Sequence, residues 1–153
     1  MTHNNSKLTA KIALYQPDIP QNTAAIIRTC SCLGVKLEII EPCGFTFQDK
    51  RFRRVVMDYL DEKMIKIYEN SDQFFKAKKN TRVILMTTKA KVSLKSFRLQ
   101  KNDTILFGRE SAGVPQKIHQ KVDKRITIPM LKEKRSLNLS TTVSMVLSKL
   151  VLQ

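Results

Sequence analysis

An α/β fold, with an open and mostly parallel sheet covered by helices on both faces, is predicted for this chain by three observations. Short apolar runs of strand length alternate with helical periodicity from Lys11 to the C-terminus, the order that builds parallel sheets. No internal repeat, low-complexity tract or linker interrupts that alternation. Polar residues and glycines also gather just after the apolar runs, where open sheets hold ligands. With 153 residues the chain has the size of one domain. We expect that domain over residues 8–153, behind a flexible extension of residues 1–7.

Lys11–Tyr15 reads as a first strand that runs into a loop marked by Pro17 and Pro20. Asn22 is a good N-cap for a helix carrying Ala24, Ala25, Ile26, Ile27, Cys30 and Leu33, and Gly34 supplies its stop. Leu37–Ile40 forms a second strand, ended by Pro42 and Gly44. Phe52, Val55, Val56, Tyr59 and Leu60 recur at helical spacing, with Arg51, Arg53 and Arg54 between them. Met64–Tyr68, Arg82–Met86, Thr104–Phe107 and Arg125–Ile128 read as further strands. Ser71 is expected to cap a helix reaching Lys78, and Gln116–Lys121 makes a shorter one. Val143, Val146, Leu147, Leu150 and Val151 form the apolar stripe of a final helix.

Charge narrows the partners. The chain carries 28 Lys+Arg against 13 Asp+Glu, a formal net charge of +15, which points to a polyanion, most simply nucleic acid. No apolar run approaches the roughly 20 residues that span a bilayer, and the first residues lack the apolar stretch of a signal peptide. Three cysteines, Cys30, Cys32 and Cys43, form no even framework, so a reducing, cytoplasmic setting is expected. Cys30 and Cys32 point apart on a helix, and the two histidines, His3 and His119, lack ligand spacing; no metal site is expected. No Gly-x-Gly-x-x-Gly follows the first strand and no Gly-Lys-Ser/Thr loop exists, which excludes Rossmann-type and P-loop phosphate binding. Nucleophilic hydrolysis lacks a base beside its Ser or Cys.

Three segments carry the chemistry. The first runs from Leu14 through Pro17, Pro20 and Asn22 to Arg28. The second, Phe107-Gly-Arg-Glu-Ser-Ala-Gly-Val-Pro115, puts two of the chain's four glycines and a carboxylate after an apolar strand. The third passes from Ile128-Pro129-Met130 through a basic linker to Arg135, Ser136, Leu137, Asn138 and Ser140, opening the last helix. Each admits a plain structural role: Gly108 can end a strand, Asn138 can cap a helix, and Lys50–Arg54 can be a solvated face.

In this order the segments resemble the three motifs of the SPOUT class of RNA methyltransferases. The stretches Glu41–Phe45 and Asp49-Lys50-Arg51…Arg54…Asp58-Tyr59 narrow the resemblance to the tRNA (cytidine(34)-2'-O)-methyltransferase subfamily. It covers nearly all of residues 8–150. The resemblance implies a deep trefoil knot, made by the C-terminal segment of the chain passing through a loop, an exception to the rule against threaded chains. It also implies S-adenosyl-L-methionine as cofactor, tRNA as substrate, a homodimer, and 2'-O-methylation of the wobble ribose. Two alternatives stay open: another tRNA position or rRNA as substrate, and a non-catalytic RNA-binding protein that retains the knot.

By position, the resemblance places cofactor contacts on Met86, Gly108, Ile128, Met130, Ser136 and Leu137. It assigns catalysis to Arg28, Ser136 and Asn138. The guanidinium of Arg28 suits both a phosphate and a developing alkoxide. RNA contacts are expected from Arg28 and from Lys50, Arg51, Arg53 and Arg54.

Overall fold

The computed structural model describes residues 9–47, 49–56, 63–133 and 136–152, without the side chain of Val55. The expected extension (residues 1–7, with His3) and the expectations placed on Asp58, Tyr59, Leu60 and Arg135 lie outside them.

Six strands build the sheet: β1 (Lys11–Tyr15), β2 (Lys36–Ile40), β3 (Ile65–Tyr68), β4 (Val83–Met86), β5 (Thr104–Phe107) and β6 (Lys124–Ile126). Their order is β3-β2-β1-β5-β4-β6, and every pairing is parallel. The helices are α1 (Pro20–Leu33), α2 (Lys50–Val56), α3 (Ser71–Ala77), α4 (Gln116–Lys121) and α5 (Leu139–Leu152).

Period-two alternation sends the two sets of each strand to opposite faces. Ile12 and Leu14 of β1 join a core with Ile26 and Ile27 of α1, Phe52 of α2, and Val143, Val146 and Leu147 of α5. Ala13 and Tyr15 point the other way, into a smaller core with Phe74 of α3 and Ile118 of α4. Both faces are therefore covered, as the apolar runs of strands buried on two sides require.

Several boundaries differ from expectation. The N-cap of α1 is Ile19, not Asn22, and Pro20 occupies the first turn. Proline's fixed φ and missing N–H suit that turn, so the helix starts earlier and Asn22 is freed for another contact. Asn70, not Ser71, caps α3, its side chain accepting from the Gln73 N–H at 2.9 Å. The strand expected over Arg125–Ile128 is β6, Lys124–Ile126. It ends early because Thr127 exchanges backbone hydrogen bonds with Val92 and Leu94 instead, at 2.8 Å each. Gly34 does close α1, in the left-handed region at φ 69°.

The long stretch between β4 and β5 is held at three points. Arg82 forks onto Asp103 through Nε–Oδ1 at 2.9 Å and Nη2–Oδ2 at 2.6 Å, tying the starts of the two strands. Thr87 N–H donates to the Ile126 carbonyl at 2.9 Å. From α5, the Lys149 ammonium donates to the carbonyls of Leu94 and Phe97, the latter at 2.8 Å.

Candidate functional site

The C-terminal ends of β4, β5 and β6 open onto a cavity of about 410 Å³. Three parts of the chain line it: Leu85–Thr88; Phe107–Glu110 with Gly113 and Val114; and Thr127, Ile128 and Met130 with Ser136–Leu139 and Thr142. Asn22 and Ile19 of the first motif close its rim. This is where an open parallel sheet binds ligands, because the βα loops diverge there.

The second segment depends on its glycines. The backbones of Arg109 and Gly113 pair reciprocally, Arg109 N–H to Gly113 O at 3.1 Å and Gly113 N–H to Arg109 O at 2.8 Å. That narrow hairpin lays residue 113 against residue 108. A Cβ on Gly108 would stand 2.7 Å from both the Cα and the carbonyl carbon of Gly113. Such contact with backbone cannot relax without opening the loop, so Gly108 serves the close packing that exposes main chain to the cavity.

The third segment turns on Asn138. Its Oδ1 accepts from the N–H groups of Ser140 at 2.9 Å and Thr141 at 3.2 Å, capping α5. Its Nδ2 donates to Asn22 Oδ1 at 3.1 Å. One amide thus satisfies the start of α5 and ties it to α1 beside the cavity.

Met86, Gly108, Ile128, Met130, Ser136, Leu137 and Asn138 all line this one cavity. Arg28 does not; it is exposed on α1, about 9 Å along the helix axis from Asn22 at the usual rise per residue. Lys50, Arg51, Arg53 and Arg54 form the exposed face of α2, whose buried face carries Phe52 and Val56. Asp49 caps that helix, accepting from Arg51 N–H at 2.8 Å and Phe52 N–H at 3.4 Å, and these bonds lower its pKa.

Sequence reasoning missed a carboxylate pair at the cavity wall. Asp18 N–H donates to Glu110 Oε2 at 2.8 Å. The Ser111 hydroxyl donates to Asp18 Oδ2, and Arg109 Nε lies 3.4 Å from the same oxygen. Burial first, and then the neighbouring Asp18 carboxyl, raise the Glu110 pKa, against the Asp18 N–H bond, which lowers it. Asp18 is lowered, chiefly by the hydrogen bond from Glu110 and against the effect of burial. The two carboxyls are thus pushed in opposite directions, Glu110 up and Asp18 down. Two acids 92 positions apart leave no local spacing to read.

Apolar residues such as Ile128 and Leu137 and polar ones such as Thr87, Ser136 and Asn138 line the cavity together, the mixture that a small-molecule site with both apolar and hydrogen-bonding contacts requires. The family model for the SpoU rRNA methylases matches residues 9–148. A relative from Beijerinckia indica subsp. indica named tRNA (cytidine(34)-2'-O)-methyltransferase is 42% identical over 144 residues, covering 93% of this chain and 90% of that protein. A solved structure described as "Structural insights into the 2-OH methylation of C/U34 on tRNA" has a TM-score of 0.86 at 31% identity, covering 92% of this chain and 93% of that one. An AdoMet-bound rRNA methyltransferase from Sinorhizobium meliloti shares the fold, with a TM-score of 0.82 at 21% identity over 92% of this chain and 55% of that one. By the span of its family match and its likeness to relatives over nearly its whole length, the chain belongs to the SpoU rRNA methylase family.

Proposed function

We propose that this chain methylates the ribose 2'-oxygen of the wobble nucleoside, cytidine or uridine 34, in tRNA, with S-adenosyl-L-methionine as methyl donor. The observation that carries the reading is the meeting of Met86, Gly108, Ile128, Met130, Ser136 and Leu137 in one cavity. The names of the relatives support the substrate. The net charge of +15 suits the polyanion.

The cavity fits the cofactor. Its volume of about 410 Å³ is in the range of small-molecule sites. Ile128 and Leu137 offer apolar surface, and the turn at Gly108, packed against Gly113 with no room for a Cβ, sets main chain in the lining. When bound, the cofactor supplies an electrophilic methyl group. The protein's work is to align the 2'-oxygen and tolerate its growing negative charge. Arg28 is an electrostatic clamp on that oxygen and the neighbouring phosphate. A guanidinium offers N–H donors and no acceptor, so it acts by charge and not as a base. Ser136 and Asn138 hold the ribose or the cofactor by hydrogen bonds.

The knot expected at the C-terminal end belongs to the same proposal, supported by the meeting of residues 86–88, 107–110, 127–128 and 136–139 around one site. So does a homodimer acting in the cytoplasm. Leu33 at the end of α1 and Met145, Val151 and Leu152 on α5 are exposed apolar side chains, and Ser144 and Ser148 beside them are small enough for close helix approach. Among the described residues no helix is long and apolar enough to cross a membrane.

Calorimetry with S-adenosyl-L-methionine and single-turnover assays on Arg28 variants test the reading. Wild type binds the cofactor; Arg28→Ala binds it equally and loses turnover; Arg28→Lys keeps partial activity with the same pH profile. No binding at millimolar cofactor overturns the enzyme reading. Wild-type turnover in Arg28→Ala removes this residue from the mechanism.

A further inference from the structure

We propose that a groove between the 89–92 loop and the junction of α4 with β6 binds RNA phosphates, receiving backbone that runs on from the nucleotide at the cavity. This rests on the function proposed above only for the identity of the polyanion. The groove is a separate cavity of about 660 Å³. Lys89 and Lys91 stand on one wall and Lys124 and Arg125 on the other. All four are exposed, and none is in an ion pair among the described residues. The carboxylate beside them, Asp123, is committed to the strand, accepting from Val83 N–H at 2.7 Å.

The walls are fixed relative to each other. Thr87 N–H donates to Ile126 O at 2.9 Å, and Thr127 N–H donates to Val92 O at 2.8 Å. The loop bearing Lys89 and Lys91 is therefore clamped at both ends to the segment bearing Lys124 and Arg125. Thr87 and Thr88 line the first cavity, so the groove begins where that site ends. His119, on α4, is buried against it. Burial, then Lys89 and Arg125, keep its imidazole below the ordinary pKa. The charged groups lining the groove around it are Lys89 and Lys91 from the loop and Asp123, Lys124 and Arg125 from the start of β6. Four exposed cations, with one carboxylate already engaged by the Val83 N–H, make a site for anions. β6 is the edge strand opposite β3, whereas α2 connects β2 to β3. The groove thus adds a second basic surface to the one read from Lys50–Arg54.

The test uses the full chain and an unmodified tRNA transcript, with binding followed by fluorescence anisotropy across salt concentrations. Exchanging Lys89→Glu together with Arg125→Glu should weaken binding about tenfold or more and reduce the log–log salt slope by roughly two contacts' worth, about 0.9 each. Cofactor affinity should stay within about twofold, since neither residue lines that cavity. In wild type, tRNA should move the His119 titration midpoint, followed by NMR, to higher pH. Lys89→Arg should bind like wild type. If the double variant misfolds, Lys89→Gln alone, in an exposed loop, should still lower the slope. A variant that binds cofactor normally and holds tRNA with the wild-type Kd and slope overturns the proposal. Wild-type methylation is scored on the same samples. Its absence with the groove effect intact counts against the function reading alone; its presence without the groove effect counts against the groove alone.

Discussion

Glu110 shows how one carboxylate can join two loops and answer to pH. Its Oε2 accepts from Asp18 N–H at 2.8 Å, joining the first motif to the second. Its pKa is raised by burial and by Asp18, so folding favours its protonated form. That contribution is full below the unfolded value near 4.5 and is lost as pH rises through the higher folded value. Asp18 works oppositely: its contribution is present above 3.8 and is lost as pH falls through its lowered value. Glu110→Gln keeps an acceptor for the Asp18 N–H and an amide donor for the Asp18 carboxylate, and removes the titration. Urea denaturation of both proteins from pH 4 to 8 should show the variant gaining stability relative to wild type as pH rises above about 4.5. Parallel curves would mean that Glu110 titrates normally. The cysteines offer a simpler check at this scale. Burial pushes the Cys30 thiol to about 12, and burial with Glu41 and Glu110 nearby pushes Cys43 to about 12. Only Cys32 is exposed, so Ellman's reagent at neutral pH should titrate one thiol quickly; three fast thiols would contradict this packing.

Helix α5 closes the site, and Asn138 sets both where it begins and what it faces. The capping role was legible in the sequence, because a polar residue stands directly before an apolar periodic run. Its partner was not. Asn22 reads as the cap of α1 until Pro20 is seen to take the first turn with Ile19 at the cap; only then is the Asn22 amide free to accept from Asn138 at 3.1 Å. The two roles of Asn138 separate by substitution. Asn138→Ala should lose the cap and about 1 kcal/mol of stability. Asn138→Asp should keep the cap, since a carboxylate accepts the same N–H groups and suits a helix N-terminus, yet lose the donor to Asn22. Thermal midpoints near wild type with turnover sharply reduced are expected for the Asp variant. Wild-type turnover in that variant would confine Asn138 to capping.

At the scale of the molecule, much of the architecture followed from patterning. The four inner strands, β1, β2, β4 and β5, lie where apolar runs put them, within about two residues, because strands buried on both faces must be nearly continuous in apolar residues. The edge strands β3 and β6 lie as close to expectation but expose Lys66 and Ile67, and Lys124 and Arg125. Strand order was not legible: β1 sits between β2 and β5, and pairing across that distance in sequence leaves no local trace. The site was partly legible for a related reason. Gly108, Ser136 and Asn138 mark themselves by type and position in a motif, whereas the basic groove draws on residues 89–92, 119–120 and 122–125, which meet through the β4–β6 pairing and the bonds of Thr87 and Thr127.

The same charge sets the salt dependence expected of RNA binding. Changing Arg51, Arg53 and Arg54 to Ala should weaken tRNA binding and flatten its salt slope, leaving cofactor affinity nearly unchanged. These side chains are exposed on α2 while Phe52 and Val56 hold its buried face. An equal loss of cofactor affinity would make the run structural.

The central claim is methyl transfer to one ribose. Unmodified tRNA incubated with the protein and methyl-labelled S-adenosyl-L-methionine, then digested and mapped by mass spectrometry, tests it directly. The label should sit on the 2'-oxygen of nucleoside 34 and nowhere else. Label on a base, on another position, or on none would contradict the account.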